Sequence, residues 1–176
     1  MKLSTKQFAV VMMGAPGSGK STFAHNLMKQ NDFTYVNYDS IRKQLYGDES
    51  IQGSWKEISK VVDELISTSK GNIIVDGCHH SPQYRREICQ KLKENSYNYI
   101  VGVFVNSSLG NCLKQNLSRS RQVPEEVIKR IWEKLNEDKD ELLTFFDKLT
   151  IYDPETNTTK TVQNSNRRWK SRNQLL

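Results

Sequence analysis

The chain has 176 residues, with 26 Lys and Arg against 20 Asp and Glu and a hydrophobic content of 36%. That length suits one domain, residues 1–165 with a basic tail at 166–176, and leaves no room for a second catalytic domain. No apolar run approaches bilayer-spanning length and Met1 to Lys6 lacks the h-region of a signal peptide, so the expectation is a cytoplasmic protein without membrane contact.

Phe8 to Met13 is an apolar segment of strand length, and Thr22 to Met28 has helix-compatible composition. Between them runs Gly14-Ala15-Pro16-Gly17-Ser18-Gly19-Lys20-Ser21, a complete match to the phosphate-binding pattern G-x-x-x-x-G-K-[ST]. A polyphosphate must be wrapped by backbone N–H groups, and glycines clear the approach and permit positive φ. Lys20 is expected between the β- and γ-phosphates, Ser21 offers its hydroxyl to Mg²⁺, and the helix starting near Thr22 presents its positive N-terminus. The stretch reads as a nucleoside triphosphate (NTP) site.

Phe33 to Asn37 reads as a second strand, with Asp39 at its carboxyl end and a short helix from Ser40 to Tyr46 closed by Gly47. Asp39 and Arg42 therefore leave one strand-to-helix corner, the edge where open α/β sheets hold ligands. A long helix follows, with Trp55, Ile58, Val61, Val62, Leu65 and Ile66 at helical spacing. Asn72 to Gly77 is an apolar strand ending in Asp76, either a carboxylate facing Mg²⁺ or substrate or simply a cap. His79 and His80 read as loop or structural histidines, because neither has a catalytic or metal-binding partner in the sequence. A helix with Ser81 as N-cap and Pro82 first carries Tyr84, Ile88, Cys89 and Leu92 inward, with Arg85 and Arg86 in its first two turns.

Tyr97 to Val105 is the strongest strand pattern, followed by a helix with Leu109, Cys112, Leu113, Asn116 and Leu117 in register. Residues 118–124 lack apolar periodicity and read as a lid bearing Arg119 and Arg121, with Pro124 opening the next helix. The alternative is a solvated basic hinge. A last parallel strand begins at Leu149, and a terminal hairpin is expected over 149–162. Cys78, Cys89 and Cys112, odd in number and irregularly spaced, suit reduced thiols better than disulfides or zinc. Five of the net +6 charges lie between Lys160 and Leu176 with no acid among them. With Trp169, that end fits a nucleic-acid-tracking segment or a merely solubilising extension.

Together these pieces resemble the 5′-hydroxyl polynucleotide kinase domain, of the bacteriophage type, within the P-loop kinase superfamily. The resemblance runs from about Phe8 to about Leu135. It rests on Gly14 to Thr22, the N-x-D-x-x-R run of Asn37, Asp39 and Arg42, Asp76 followed by Ser81-Pro82 and Arg85-Arg86, and the lid Arg119 to Pro124. It implies a P-loop NTPase fold: a five-stranded, mainly parallel sheet, helices on both faces and a helical lid. It also implies an ATP- and Mg²⁺-dependent kinase acting on a DNA or RNA 5′ end. The sequence departs from some relatives in lacking the acidic signature of the phosphatase domain that they append, so kinase activity alone is expected. Carried onto this sequence, Asp39 becomes the general base and Lys20 stabilises the leaving phosphates. Arg42, Asp76 and Arg86 serve the acceptor, and Arg119 with Arg121 clasps the NTP from the lid. Two other functions fit the same loop: a kinase of a small molecule, nucleoside or aminoacyl-tRNA, and an NTP-binding module that hydrolyses slowly or not at all. A pure binder needs no acceptor-side base, which speaks against the module.

Overall fold

Residue alternation in the first strand serves two cores at once. In β1 (Phe8–Met13), Ala9, Val11 and Met13 enter one buried cluster while Val10 and Met12 enter a second. A central parallel strand is covered on both sides, so its sequence reads as an unbroken apolar run. The computed structural model describes residues 7–165, and the basic segment 166–176 lies outside the described residues.

The glycine loop after β1 leads into α1 (Lys20–Met28), followed by β2 (Phe33–Asn37), α2 (Tyr38–Tyr46), α3 (Trp55–Thr68) and β3 (Asn72–Asp76). Next come α4 (Pro82–Glu94), β4 (Tyr99–Val105), α5 (Leu109–Leu117), α6 (Glu125–Glu137), a 3₁₀ helix (Lys139–Phe145), β5 (Lys148–Asp153) and β6 (Thr158–Gln163). The sheet order is β2-β3-β1-β4-β5-β6. All neighbours are parallel except β6, which runs antiparallel to β5. The five expected parallel strands are present, and the expected terminal hairpin is the β5–β6 pair. The chain leaves β1 toward β2 on one side and crosses from β3 over β1 to β4 on the other. The order reverses between β1 and β3, and ligands in such sheets bind at the carboxyl edge of that reversal.

Helices pack on both faces, unequally. Phe23, Ala24, Leu27 and Met28 of α1 join one cluster, whereas α3, α4 and α6 supply Ile58, Val62, Ile66, Ile88, Leu92, Ile128 and Leu135 to the other. No helix among the described residues is long and apolar enough to cross a membrane.

Several elements depart from the sequence reading. α2 starts at Tyr38 rather than Ser40, because the Asn37 side chain caps it by accepting from the Ser40 N–H at 2.8 Å. Tyr97 precedes β4 instead of opening it; its ring is buried and its hydroxyl donates to the Gly71 carbonyl at 3.1 Å. The largest reversal is in α4, where Tyr84 faces outward and Arg85 is fully buried. Arg85 donates to Asp138 at 2.8 Å and to the His79 carbonyl at 3.0 Å, and its guanidinium lies 4.9 Å from the Phe145 ring centre. A buried cation is tolerated only with such partners, and apolar periodicity cannot announce them. Leu117, placed on the apolar stripe of α5 by spacing, is 70% exposed at the start of the lid.

Candidate active site

The phosphate loop is fixed by its own main chain. The Ser18 N–H donates to the Ala15 carbonyl at 3.1 Å, the Gly14 N–H to Cys78 at 3.4 Å, and Lys20 Nζ to Ala15 at 3.0 Å. Gly17 has φ +79°, and a Cβ there would collide with the Cys112 carbonyl of α5, so both conformation and space demand glycine. Ser18 Oγ is buried with no hydrogen-bond partner among the described residues, a polar group turned into the loop's own turn.

Asp76 ends β3 beside this loop and is buried. One of its oxygens accepts three hydrogen bonds, from Ser21 Oγ at 2.7 Å, Tyr35 OH at 2.5 Å and Asn37 Nδ2 at 3.0 Å. Burial, and then the Asp76 charge, push the Tyr35 hydroxyl well above its ordinary range, so it stays a donor. Asn37 therefore works twice. Its amide nitrogen holds Asp76 while its amide oxygen caps α2, which ties the end of β3 to the helix bearing Asp39.

Asp39 lies in the first turn of α2, and a single oxygen meets two guanidiniums: Arg42 at 3.1 Å and Arg121 from the lid at 3.1 Å. Arg121 also approaches Glu49 at 4.0 Å. The lid stem is clipped by Asn116, whose side-chain oxygen accepts from the Val123 N–H and whose nitrogen donates to the Val123 carbonyl, both at 2.9 Å. That pair mimics a backbone ladder and presents the arginine-bearing loop to the cleft.

His79, weighed from sequence as loop or structural, is buried with φ +40°. Its Nδ1 donates to the Met12 carbonyl at 2.7 Å, an assignment forced by the acceptor, so Nε2 accepts from Tyr38 OH at 3.2 Å. Burial holds its pKa down at about 4, consistent with a neutral ring. Tyr38, the residue before Asp39, is thereby tied to β1, and its ring lies against Gly77, where a side chain would not fit.

One cavity of about 910 Å³ gathers these groups, at the upper end of the usual range for ligand pockets. Pro16 through Thr22 line it, as do Asp39, Arg42, Asp76, Arg119 and Arg121. Gly14 and Ala15 support the loop from behind, and neither lines the cavity. Arg86 is exposed on α4 and is not part of the lining, so the structure does not bring this expected acceptor residue to the others. Tyr35, Tyr38, His79 and Asn116 were not assigned site roles from sequence. Only Asn37, inside the N-x-D-x-x-R run, carried a signal that the neighbourhood of Asp39 was special.

A phosphate loop at the sheet's reversal point, with two buried or half-buried acids and lid arginines around one cavity, defines a site of the P-loop kinase class. The chain belongs to the AAA_33 family (AAA domain), a P-loop kinase family that it matches over residues 10–138. Among curated proteins it is 28% identical over 138 residues to L-seryl-tRNA(Sec) kinase of Methanococcus maripaludis, covering 72% of this chain and 52% of that one. It is also 27% identical over 165 residues to an Acanthamoeba polyphaga mimivirus protein described as a bifunctional polynucleotide phosphatase/kinase, covering 85% of this chain and 36% of that one. The chain thus spans about half or less of the length of these relatives. A solved structure of the Pnkp1/Rnl/Hen1 RNA repair complex shares the fold, with a TM-score of 0.68 at 22% identity over 81% of this chain and 49% of the other.

Proposed function

We propose that the chain is an ATP- and Mg²⁺-dependent kinase that transfers the γ-phosphate to the 5′-hydroxyl of a DNA or RNA end. Asp39 carries the reading: it lines the same cavity as the phosphate loop and is flanked by two arginines, the equipment of an acceptor site. The acceptor O5′ loses its proton to Asp39 and bonds to the γ-phosphorus, whose bond to the β,γ-bridging oxygen breaks. The products are a nucleoside diphosphate and a 5′-phosphorylated end. Lys20 neutralises charge on the leaving phosphates, and Arg119 and Arg121 approach the γ-phosphate from the lid. Arg42 holds the phosphate next to the attacking nucleotide. Both Arg42 and Arg121 rest on Asp39, and substrate phosphates that compete for these arginines leave the carboxylate open to the hydroxyl. The Ser21 hydroxyl and Asp76 carboxylate, 2.7 Å apart, are hard oxygen donors that suit Mg²⁺, which when bound supplies charge neutralisation at the β- and γ-phosphates.

A second reading, phosphorylation of a hydroxyl on an aminoacyl-tRNA, is favoured by the 28% identity to the seryl-tRNA kinase. Incubation with γ-labelled ATP and Mg²⁺ against 5′-hydroxyl DNA and RNA oligonucleotides, seryl-tRNA and a panel of small metabolites separates the two. Label on oligonucleotide 5′ ends, lost in Asp39→Ala with ATP affinity retained, is the expected result. Label on seryl-tRNA or on a metabolite alone, or an active Asp39→Ala protein, rejects the reading.

A further inference from the structure

We propose that Trp55 and Tyr84 form a stacking platform for the nucleobase of the acceptor's 5′-terminal nucleotide, a proposal that rests on the reading of the chain as a nucleic-acid 5′-hydroxyl kinase. Five large hydrophobic side chains are exposed among the described residues: Leu45, Ile51, Trp55, Tyr84 and Leu117. Of these, only Trp55 and Tyr84 line the cavity. Helical spacing places Trp55 on the same stripe as buried Ile58, Val62 and Ile66. As the first residue of α3 it projects past the packed stretch and remains 46% exposed. Tyr84, displaced outward by Arg85, is 39% exposed in the first turn of α4.

The two rings are held in place from several directions. Their centres are 5.9 Å apart with planes at 42°, an arrangement too tilted for mutual stacking that leaves ring face available. His80 and Tyr84 meet in a T-shaped contact, ring centres 5.3 Å apart. Ahead of Trp55, the Tyr46 hydroxyl donates to Glu57 at 2.8 Å and accepts from the Ser54 N–H at 2.9 Å, anchoring the start of α3. Lys91 of α4 reaches Ser59 at 2.7 Å and pairs with Asp63, binding the two helices side by side. A surface fixed in this way is pre-organised for a flat ligand.

Its place relative to the chemistry identifies the ligand. The ring of Tyr38 meets Trp55 edge-on at 5.7 Å, and the next residue is Asp39. Tyr38, Trp55 and Tyr84 line the same cavity as the carboxylate that receives the 5′-hydroxyl proton. A nucleoside with its 5′-hydroxyl at Asp39 carries its base one sugar away, within the cavity that these rings line. Base stacking on aromatic side chains tolerates any sequence, and loss of one such ring weakens binding by about 10- to 100-fold.

The test measures equilibrium binding of a 3′-fluorescent 5′-hydroxyl tetranucleotide and of its twin with an abasic first nucleotide. The full chain, Trp55→Ala, Trp55→Phe and Tyr84→Ala are compared, with phosphorylation of both oligonucleotides followed in parallel. The wild-type chain is expected to prefer the base-bearing oligonucleotide by about 10-fold or more. Trp55→Ala should remove the preference and Trp55→Phe should keep most of it. Equal binding of the two oligonucleotides by wild type, or an undiminished preference in Trp55→Ala, overturns the platform. If both bind equally and both weaken in Trp55→Ala, the rings hold sugar and the nucleobase assignment falls. Preference without phosphorylation rejects the kinase reading while the platform stands; phosphorylation without preference rejects the platform alone.

Discussion

Lys20 and Ser21 are placed by a backbone turn between a buried strand and a helix, whereas the side-chain ends of Asp39, Arg42 and Arg121, carried on α2 and the lid, are held by contacts with one another. In the function proposed above, the donor half of the cavity therefore rests on secondary structure and main-chain hydrogen bonds. The acceptor half is held by partly exposed charge pairs, worth about 0–1 kcal/mol each, which an incoming phosphate can replace. A rigid donor side with an exchangeable acceptor side suits a catalyst that must position one partner before the other. Arg121 joins the halves, because it belongs to the lid and rests on the acceptor-side acid.

Three perturbations sharpen this contrast. The largest effect is expected for Gly17→Val in the donor half, where a side chain at positive φ meets the Cys112 carbonyl. Strain and overpacking of about 2–4 kcal/mol should lower ATP affinity by about 30- to 1,000-fold, measured by calorimetric titration. An affinity near wild type would show that the loop is not as constrained as its geometry indicates. Next comes Arg121→Ala, expected to reduce kcat by about 100-fold in single-turnover kinetics while ATP affinity changes only a few-fold. A parallel collapse of ATP affinity would place this arginine with the donor half and remove the distinction.

The smallest effect belongs to His79, which supports the acceptor half through Tyr38. Its folded-state pKa lies at about 4, below the ordinary 6.5, so the unfolded chain takes up the proton first as pH falls. Stability from this group is complete above about pH 6.5 and declines progressively toward pH 4, by up to about 3 kcal/mol. Denaturant unfolding of wild type and His79→Gln across that window should converge as pH falls. Parallel curves would mean that His79 is not held neutral.

The phosphate loop was legible because its chemistry is contiguous: eight successive residues name the ligand and the adjoining apolar runs name strand and helix. The parallel strands were legible for a similar reason, each being a short apolar block between turn signals. What escaped depends on residues brought together from far apart. Tyr84 and Arg85 are adjacent on one helix, and periodicity favours burying the tyrosine. The carboxylate of Asp138, the carbonyl of His79 and the ring of Phe145 decide otherwise. Tyr35 read as a strand aromatic, and nothing local revealed that its hydroxyl would meet Asp76 at 2.5 Å. His79 lacked a partner in the sequence because its partners are a carbonyl on β1 and a phenol on α2. Arg86 was expected beside the acceptor on the strength of a resemblance, and its helix turns it outward.

The paired hydrogen bonds between Asn116 and Val123 also bear on how much sequence change the lid tolerates. They fasten the two ends of a six-residue stretch, 117–122, so α5 and α6 do not rely on the contents of that stretch for their spacing. Because loop-closure entropy rises only slowly with length, residues inserted or exchanged there would barely strain the helices that carry it. The segment is in effect a cassette, open to changes of length and of the residues around Arg119 and Arg121 while those two arginines are kept.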